Sequence, residues 1–564
     1  MKRLLDKHKR NRQLQAHRWI ISLSVAASLS WFSSSASSDN TGNSYRRLHQ
    51  GGQWTATDWK TFYSLDQGSL IMPYAWMVAL KEANGQLFLR DSLSRYGYLP
   101  NPKGLRNPEG LPLGFLVANK RSQTPEFSMN CAACHTRQLS VGGVNYRADG
   151  GPAFSDMFSF IKDLDAAVEY TLSDGLAFSQ FQQAIQAQGA PIPTREQLAK
   201  WYLPYHTLVR NSLTSSTASW GIGRLDALSM IENRAAGLDI GAPEDDYLIP
   251  HNIFPANVPV RYPFLWNAPK QDLTQWAGTS VNGNSSYGLK RNAGEVIGVF
   301  GVIYPKADPS KPNGYDFLSS NSMNFDGLLQ AEKLVKKIGP PKWPWAIDKK
   351  KAAKGKAIYA NACGPNCHEI KKGEPRPPVR NTWLTPVIDV HTDTKYYELA
   401  AKETVSSGLL SGFSDPVNPS APLIPPTGAS SLSLVAILNN SILTQKYPKI
   451  NVSLRPPASV GVAYESRVMQ GVWAAAPYLH NGSVPSLAEL LKPSPERVKT
   501  FQVGPEYDIV NVGLAAAQPG GVASIRVTTD CSDRNSGNSN CGHEFGTLLP
   551  KEDKDALLEY LKTL

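Results

Sequence analysis

The sequence predicts a mainly α chain with long irregular loops, divided into two units by a short stiff linker. Three observations predict it. Apolar residues recur at helical spacing in several stretches, among them Ser155 to Ala187, Phe325 to Lys337 and Ser431 to Leu443. The 44 glycines and 42 prolines among 564 residues require many long connections. Between the halves lies Gly339-Pro-Pro-Lys-Trp-Pro-Trp345, a proline- and tryptophan-rich spacer. The expected units are residues 1–38, 39–338 and 346–564, with 339–345 as the linker. No convincing β architecture is read.

Composition narrows the function classes. Hydrophobic residues make up 41% and charged residues 19%, an ordinary globular balance that excludes wholesale disorder and a polytopic membrane protein. The net charge of +11 suggests a polyanion partner until its distribution is read. Seven basic residues within positions 1–18, against the single acid Asp6, carry +6 of it and leave +5 for the rest. That remainder is too small for a nucleic-acid binder without a focused patch. The basic start is followed by the uncharged run Trp19 to Phe32 and a small-residue segment near Ala36, the pattern of an export signal. The expected location is therefore the periplasm or the medium, and a membrane is a partner only if this segment stays uncleaved as an anchor.

The six cysteines fall into three pairs. Cys131-Ala-Ala-Cys134-His135 has the spacing that attaches c-type haem. Two thiols so placed add to the two vinyl groups of one porphyrin, and the next histidine lies beneath the iron. A redox-active dithiol is the rival reading, weakened by His135 and by the exported chain. Cys363-Gly-Pro-Asn-Cys367-His368 has one residue more between its thiols, and a short disulfide or half of a metal site is the alternative there. Asp348 to Ala362 before it reads as a helix in which Gly355 and Tyr359 share a face, and Lys551 to Leu564 reads as a second helix with Leu557, Leu561 and Leu564 in a stripe. Cys531 and Cys541 bracket a polar run without a histidine signature and are read as a disulfide, which could hold His543 rigidly. Ser486 and Glu489 stand at capping-box spacing before another helix, and Thr394 to Ser407 reads as a further one. The fold expectation is thus two c-type cytochrome domains, each holding one covalently attached haem.

These residues resemble bacterial di-haem cytochrome c peroxidases, together with the methylamine dehydrogenase maturation enzyme and the rubber oxygenases. Asp348 to His368 and the C-terminal helix are similar to the first and last helices of a class I cytochrome c, which pack across each other. The most specific likeness is Ala476-Pro-Tyr-Leu-His480-Asn-Gly-Ser-Val-Pro, closest to the rubber-oxygenase-like branch, along with Gly-His543-Glu-Phe-Gly. The resemblance implies a reactive first haem, ligated by His135 with the opposite position exchangeable, and a six-coordinate second haem that relays electrons. The second iron would take His368 and, as distal ligand, His543, with His480 the second choice. No methionine stands between Ala488 and Gly504, which favours two histidines and a low reduction potential. Glu295 is the candidate acid–base residue and Gln275 its partner, at a spacing longer than the family's; a surface or salt-bridged carboxylate is the plain alternative. Trp276 is a pocket or a core residue. The family often carries calcium between its domains, and no acidic loop here supports such a site.

The expected activity is reduction of hydrogen peroxide with electrons from a small periplasmic cytochrome or copper protein. The alternatives are a dioxygen-using oxygenase of the rubber-cleaving type and a pure electron carrier. His206, His251 and His391 are read as surface or hydrogen-bonded histidines.

Overall fold

The computed structural model describes residues 36–38, 44–218, 220–368, 371–372, 383–384, 386–400, 403–453, 463–519 and 523–564. The export segment lies outside these residues up to position 35. Among the described residues, no helix is long and apolar enough to cross a membrane.

The mainly α expectation is overturned: the chain is mixed, 38% helical and 15% strand, with several small sheets. The largest sheet has the order 36–38, 44–47, 144–149, 136–141. Its hairpin pairs Thr136–Val141 with Val144–Asp149 across Gly142 and Gly143, both at positive φ (57° and 77°), as a two-residue turn of right-handed sheet twist requires. Tyr45 to Arg47 then add in parallel to Asn145 to Arg147. A three-stranded sheet sets Glu126–Met129 between Ser69–Pro73 and Phe115–Ala118. The first Cys-x-x-Cys-His segment runs directly from one sheet into the other.

The helices follow their caps. Met157–Ser173 starts on Asp156, which accepts from the Ser159 amide at 3.0 Å; Asp174 ends it and caps Gly175–Ala187, so the long stretch read from the sequence is two helices. Ala227–Gly237, Ser285–Gly298 and Ser431–Lys446 pack together around Ala236, Ala293, Ile297, Leu434 and Leu438. Among the described residues between Thr394 and Ser407, Lys395–Ala400 is helical and Thr404–Val405 is a strand.

Lys349–Ala362 crosses Lys551–Leu561 as expected of the cytochrome-like segment. Gly355 makes the crossing possible: a Cβ there would overlap the Ala556 carbonyl. One turn on, Tyr359 meets Tyr560 with ring centres 5.2 Å apart, while Leu557 and Leu561 are buried. The linker tryptophans Trp343 and Trp345 pack on Trp473 at 5.1 and 5.8 Å. A single buried cluster joins Phe62, Leu113 and Leu139 from the first half to Trp473, Val484 and Leu557 from the second.

Candidate haem sites

Cys131 opens a single turn whose cap is Asn130: its side chain accepts from the Ala132 amide at 2.9 Å and donates to the Leu65 carbonyl at 2.9 Å. Gly114, at φ 81°, lets the neighbouring strand approach so closely that any side chain would overlap Ala133. Cys131 and Cys134 are free thiols. Burial pushes them up to about 11 and about 12, and the Glu295 carboxylate raises both, which places it within electrostatic reach of the pair.

His135 donates from Nδ1 to the Pro263 carbonyl at 2.9 Å. This hydrogen bond fixes the tautomer and leaves Nε2 as the basic nitrogen, while burial holds the ring neutral, at about 4. His368 repeats the arrangement, donating from Nδ1 to the Arg467 carbonyl at 2.8 Å, with its own pKa lowered by burial. Both histidines that follow a cysteine pair are therefore presented as neutral ligands oriented by a backbone carbonyl.

A largely apolar cavity opens at the second motif, lined by Cys363, Cys367, His368, His543, Leu487 and Leu557 among others. His368 and His543 face each other with ring centres 6.1 Å apart. Two imidazoles bound to one metal at about 2.0–2.1 Å would put their ring centres roughly 6.3 Å apart. The spacing, the free thiols Cys363 and Cys367 and the apolar walls fit a haem with two axial histidines.

His543 is held in place by its loop. Cys531 and Cys541 form a disulfide, Cα to Cα 5.3 Å. Gly542, at φ 74°, fits where a side chain would overlap His391, and the His543 amide donates to the Val390 carbonyl at 2.8 Å. The buried guanidinium of Arg497 donates to the carbonyls of Asn540 (2.6 Å) and Gly542 (2.8 Å). Arg497 belongs to no motif, and nothing in the sequence marks it. His480, in contrast, stacks on Tyr464 at 3.9 Å and meets Trp276 edge-on at 6.4 Å. Burial, reinforced by Arg224 and Arg261, takes it down to about 3.

Gln275 and Glu295 come together: Nε2 of the glutamine donates to Oε1 of the glutamate at 2.6 Å. Burial raises the Glu295 carboxyl despite Gln275 and Arg291. Trp276 points elsewhere, lining the cavity at the second motif, with the guanidinium groups of Arg261 and Arg467 at 4.9 and 5.0 Å from its ring. Arg467 thus links the two motifs. Its carbonyl orients His368, and its guanidinium covers Phe264 at 5.2 Å, one residue beyond the carbonyl that orients His135.

The comparisons agree with a haem-binding cytochrome. Residues 463–502, which include Arg467, His480 and Arg497, match the model of the family described as RoxA-like, cytochrome c-like. The match supports the rubber-oxygenase-like cytochromes at a coarse level, and with them an oxidoreductase-type protein that binds haem c covalently. Among curated proteins, the chain is similar to an uncharacterized Sinorhizobium fredii protein designated y4iJ, 28% identical over 583 residues, covering 91% of this chain and 92% of the relative. It is also similar to y4iM of the same organism, 27% identical over 322 residues, covering 53% and 63%.

Proposed function

We propose that the protein is an exported di-haem cytochrome that reduces hydrogen peroxide, H2O2 + 2H+ + 2e− → 2H2O, with electrons from a small redox protein. The observation that carries this reading is the hydrogen-bonded Gln275–Glu295 pair, whose carboxyl is raised by burial and acts electrostatically on Cys131 and Cys134 of the first motif. Haem bound at Cys131, Cys134 and His135 would supply the iron that takes the peroxide and accepts electrons. Splitting an O–O bond requires a proton to move from the inner to the outer oxygen, and Glu295 is the residue for it. Gln275 occupies Oε1, leaving Oε2 to take up and return that proton. Cys363, Cys367, His368 and His543 would hold a second haem, which would supply a store and relay for an electron.

Glu295→Gln is the test. We expect peroxide turnover to fall about 100-fold or more with both haems retained; near-normal turnover would refute the assignment. The family match at 463–502 favours a second reading, an oxygenase of the rubber-cleaving type in which the first haem binds dioxygen directly. A dioxygen adduct that persists in the presence of an apolar polyene would select it.

A further inference from the structure

The cavity at the second motif is walled by aliphatic side chains such as Leu487, Leu557 and Leu561, and its polar groups gather around Trp276. The guanidinium groups of Arg261 and Arg467 stand 4.9 and 5.0 Å from that ring. His480 meets it edge-on at 6.4 Å and stacks on Tyr464 at 3.9 Å. All five of these side chains line the cavity. Among the lining residues, the two arginines are the cations and Glu465 is the acid.

This corner offers more hydrogen-bond donors than the chain itself uses. Arg467 donates from Nη1 to Oε2 of Glu465 at 3.0 Å, and Gln271 donates to the other oxygen of that carboxylate. The Nε of Arg467 is buried and has no acceptor among the described residues, and neither has the buried hydroxyl of Tyr464. Arg261, 6% exposed, donates among the described residues to the backbone carbonyls of Leu479 at 3.0 Å and Tyr262 at 3.4 Å. A carbonyl supplies a dipole and not a countercharge, so two buried cations share one carboxylate. Leaving a buried charge unpaired is costly, and the corner therefore calls for a further anion. Burial together with Arg467 already pulls Arg261 down to about 9. A haem attached through its vinyl groups to Cys363 and Cys367 retains two carboxylates, its propionates, on an otherwise flat apolar ring.

We propose that Arg261 and Arg467, joined by the hydroxyl of Tyr464, hold the propionates of that haem, and that their charge raises its reduction potential above the value two axial histidines alone would set. A cation near the iron favours the reduced form, which carries one positive charge fewer. The inference rests on the part of the proposed function that places a second haem at this motif.

The experiment uses the haem-loaded full chain. Mass analysis must first find haem on Cys363 and Cys367, and its absence would overturn the assignment. Spectroelectrochemical titration of the haem with the bis-histidine spectrum should show a lower potential in Arg261→Gln and in Arg467→Gln, corresponding to a roughly tenfold loss in the equilibrium constant for reduction. Arg467→Lys should recover most of that loss. Arg467→Gln keeps the backbone carbonyl that orients His368, so the shift reports on the guanidinium. Resonance Raman spectra should show the propionate bending band of this haem displaced in both glutamine variants and in Tyr464→Phe. A potential or a propionate band that none of the variants moves would overturn the proposal and leave the arginines as braces for Trp276. Tyr464→Phe removes only a hydroxyl, so the Raman measurement stays decisive if an arginine variant fails to fold. Neither readout uses peroxide: a wild type that ignores peroxide while these shifts appear would sink the peroxide-reducing reading and leave the propionate site standing.

Discussion

Removing the His543 ring should open the second iron, whereas removing the His480 ring should not. The basis is the 6.1 Å between the His368 and His543 rings, set against His480 stacked on Tyr464. We expect His543→Ala to lose the spectrum of a bis-histidine haem and to bind cyanide at that site; His480→Ala should keep the spectrum, and the reverse pattern would exchange the two assignments. Glu295 should leave its mark on the pH profile of peroxide turnover. As a base it must be ionised, and burial raises its pKa. Turnover should therefore fall on acidification through a pKa above the ordinary carboxylate value of about 4.3, and Glu295→Gln should flatten that limb. The two cysteine pairs with their following histidines were legible because covalent haem attachment would demand those residue types at that spacing, and the approach of His543 to His368 was legible only through the family resemblance. Arg467 and Arg497 were not legible. Their work is done by carbonyl orientation and guanidinium packing across about 100 and 45 residues of chain, which leaves no local pattern.

The helix crossing of Lys349–Ala362 over Lys551–Leu561 could be read because a glycine, an aromatic residue and a leucine stripe repeat at helical spacing. Its tightest point gives a sharp test. Gly355→Ala places a methyl against the Ala556 carbonyl, and we expect a loss of about 1–3 kcal/mol in thermal or denaturant unfolding; an unchanged midpoint would show the crossing to be loose. The strands escaped notice for a different reason. Thr136–Val141 begins at the residue after His135, where the haem motif dominated the reading, yet Val141-Gly-Gly-Val144 is a hairpin turn signal in plain view. The loop of Cys531 and Cys541 spans a separation of 10 residues, and closing it should contribute about 2–3 kcal/mol. Replacing both cysteines by serine should lower stability by that amount and weaken the hold on His543.

For the molecule as a whole, a core that draws on both sides of the linker brings the two haem-attachment motifs close enough for Arg467 to touch the surroundings of both. Sequence spacing could announce two cysteine–histidine segments but not that they share a core, because packing between distant elements depends on which faces the strands and helices bury. The buried acids should also set the response of stability to pH. Glu232, Glu403 and Asp226 all have pKa values raised by burial, that of Asp226 to about 6. The folded chain then holds more protons than the unfolded one above about pH 4, so their contribution is fully present below that pH and is lost as the pH rises through the raised values. We expect the thermal midpoint of Glu403→Gln to fall less, or rise more, from pH 5 to pH 8 than that of the wild type, the difference isolating the acid's contribution from the opposite one of the buried neutral histidines His135 and His480. The most direct measurement is an anaerobic optical titration of the fully reduced, haem-loaded protein with hydrogen peroxide, following both irons. We expect rapid oxidation of two haem equivalents by each equivalent of peroxide; slow or absent oxidation, with the first haem still able to bind dioxygen, would contradict the peroxide-reducing function and select the oxygenase.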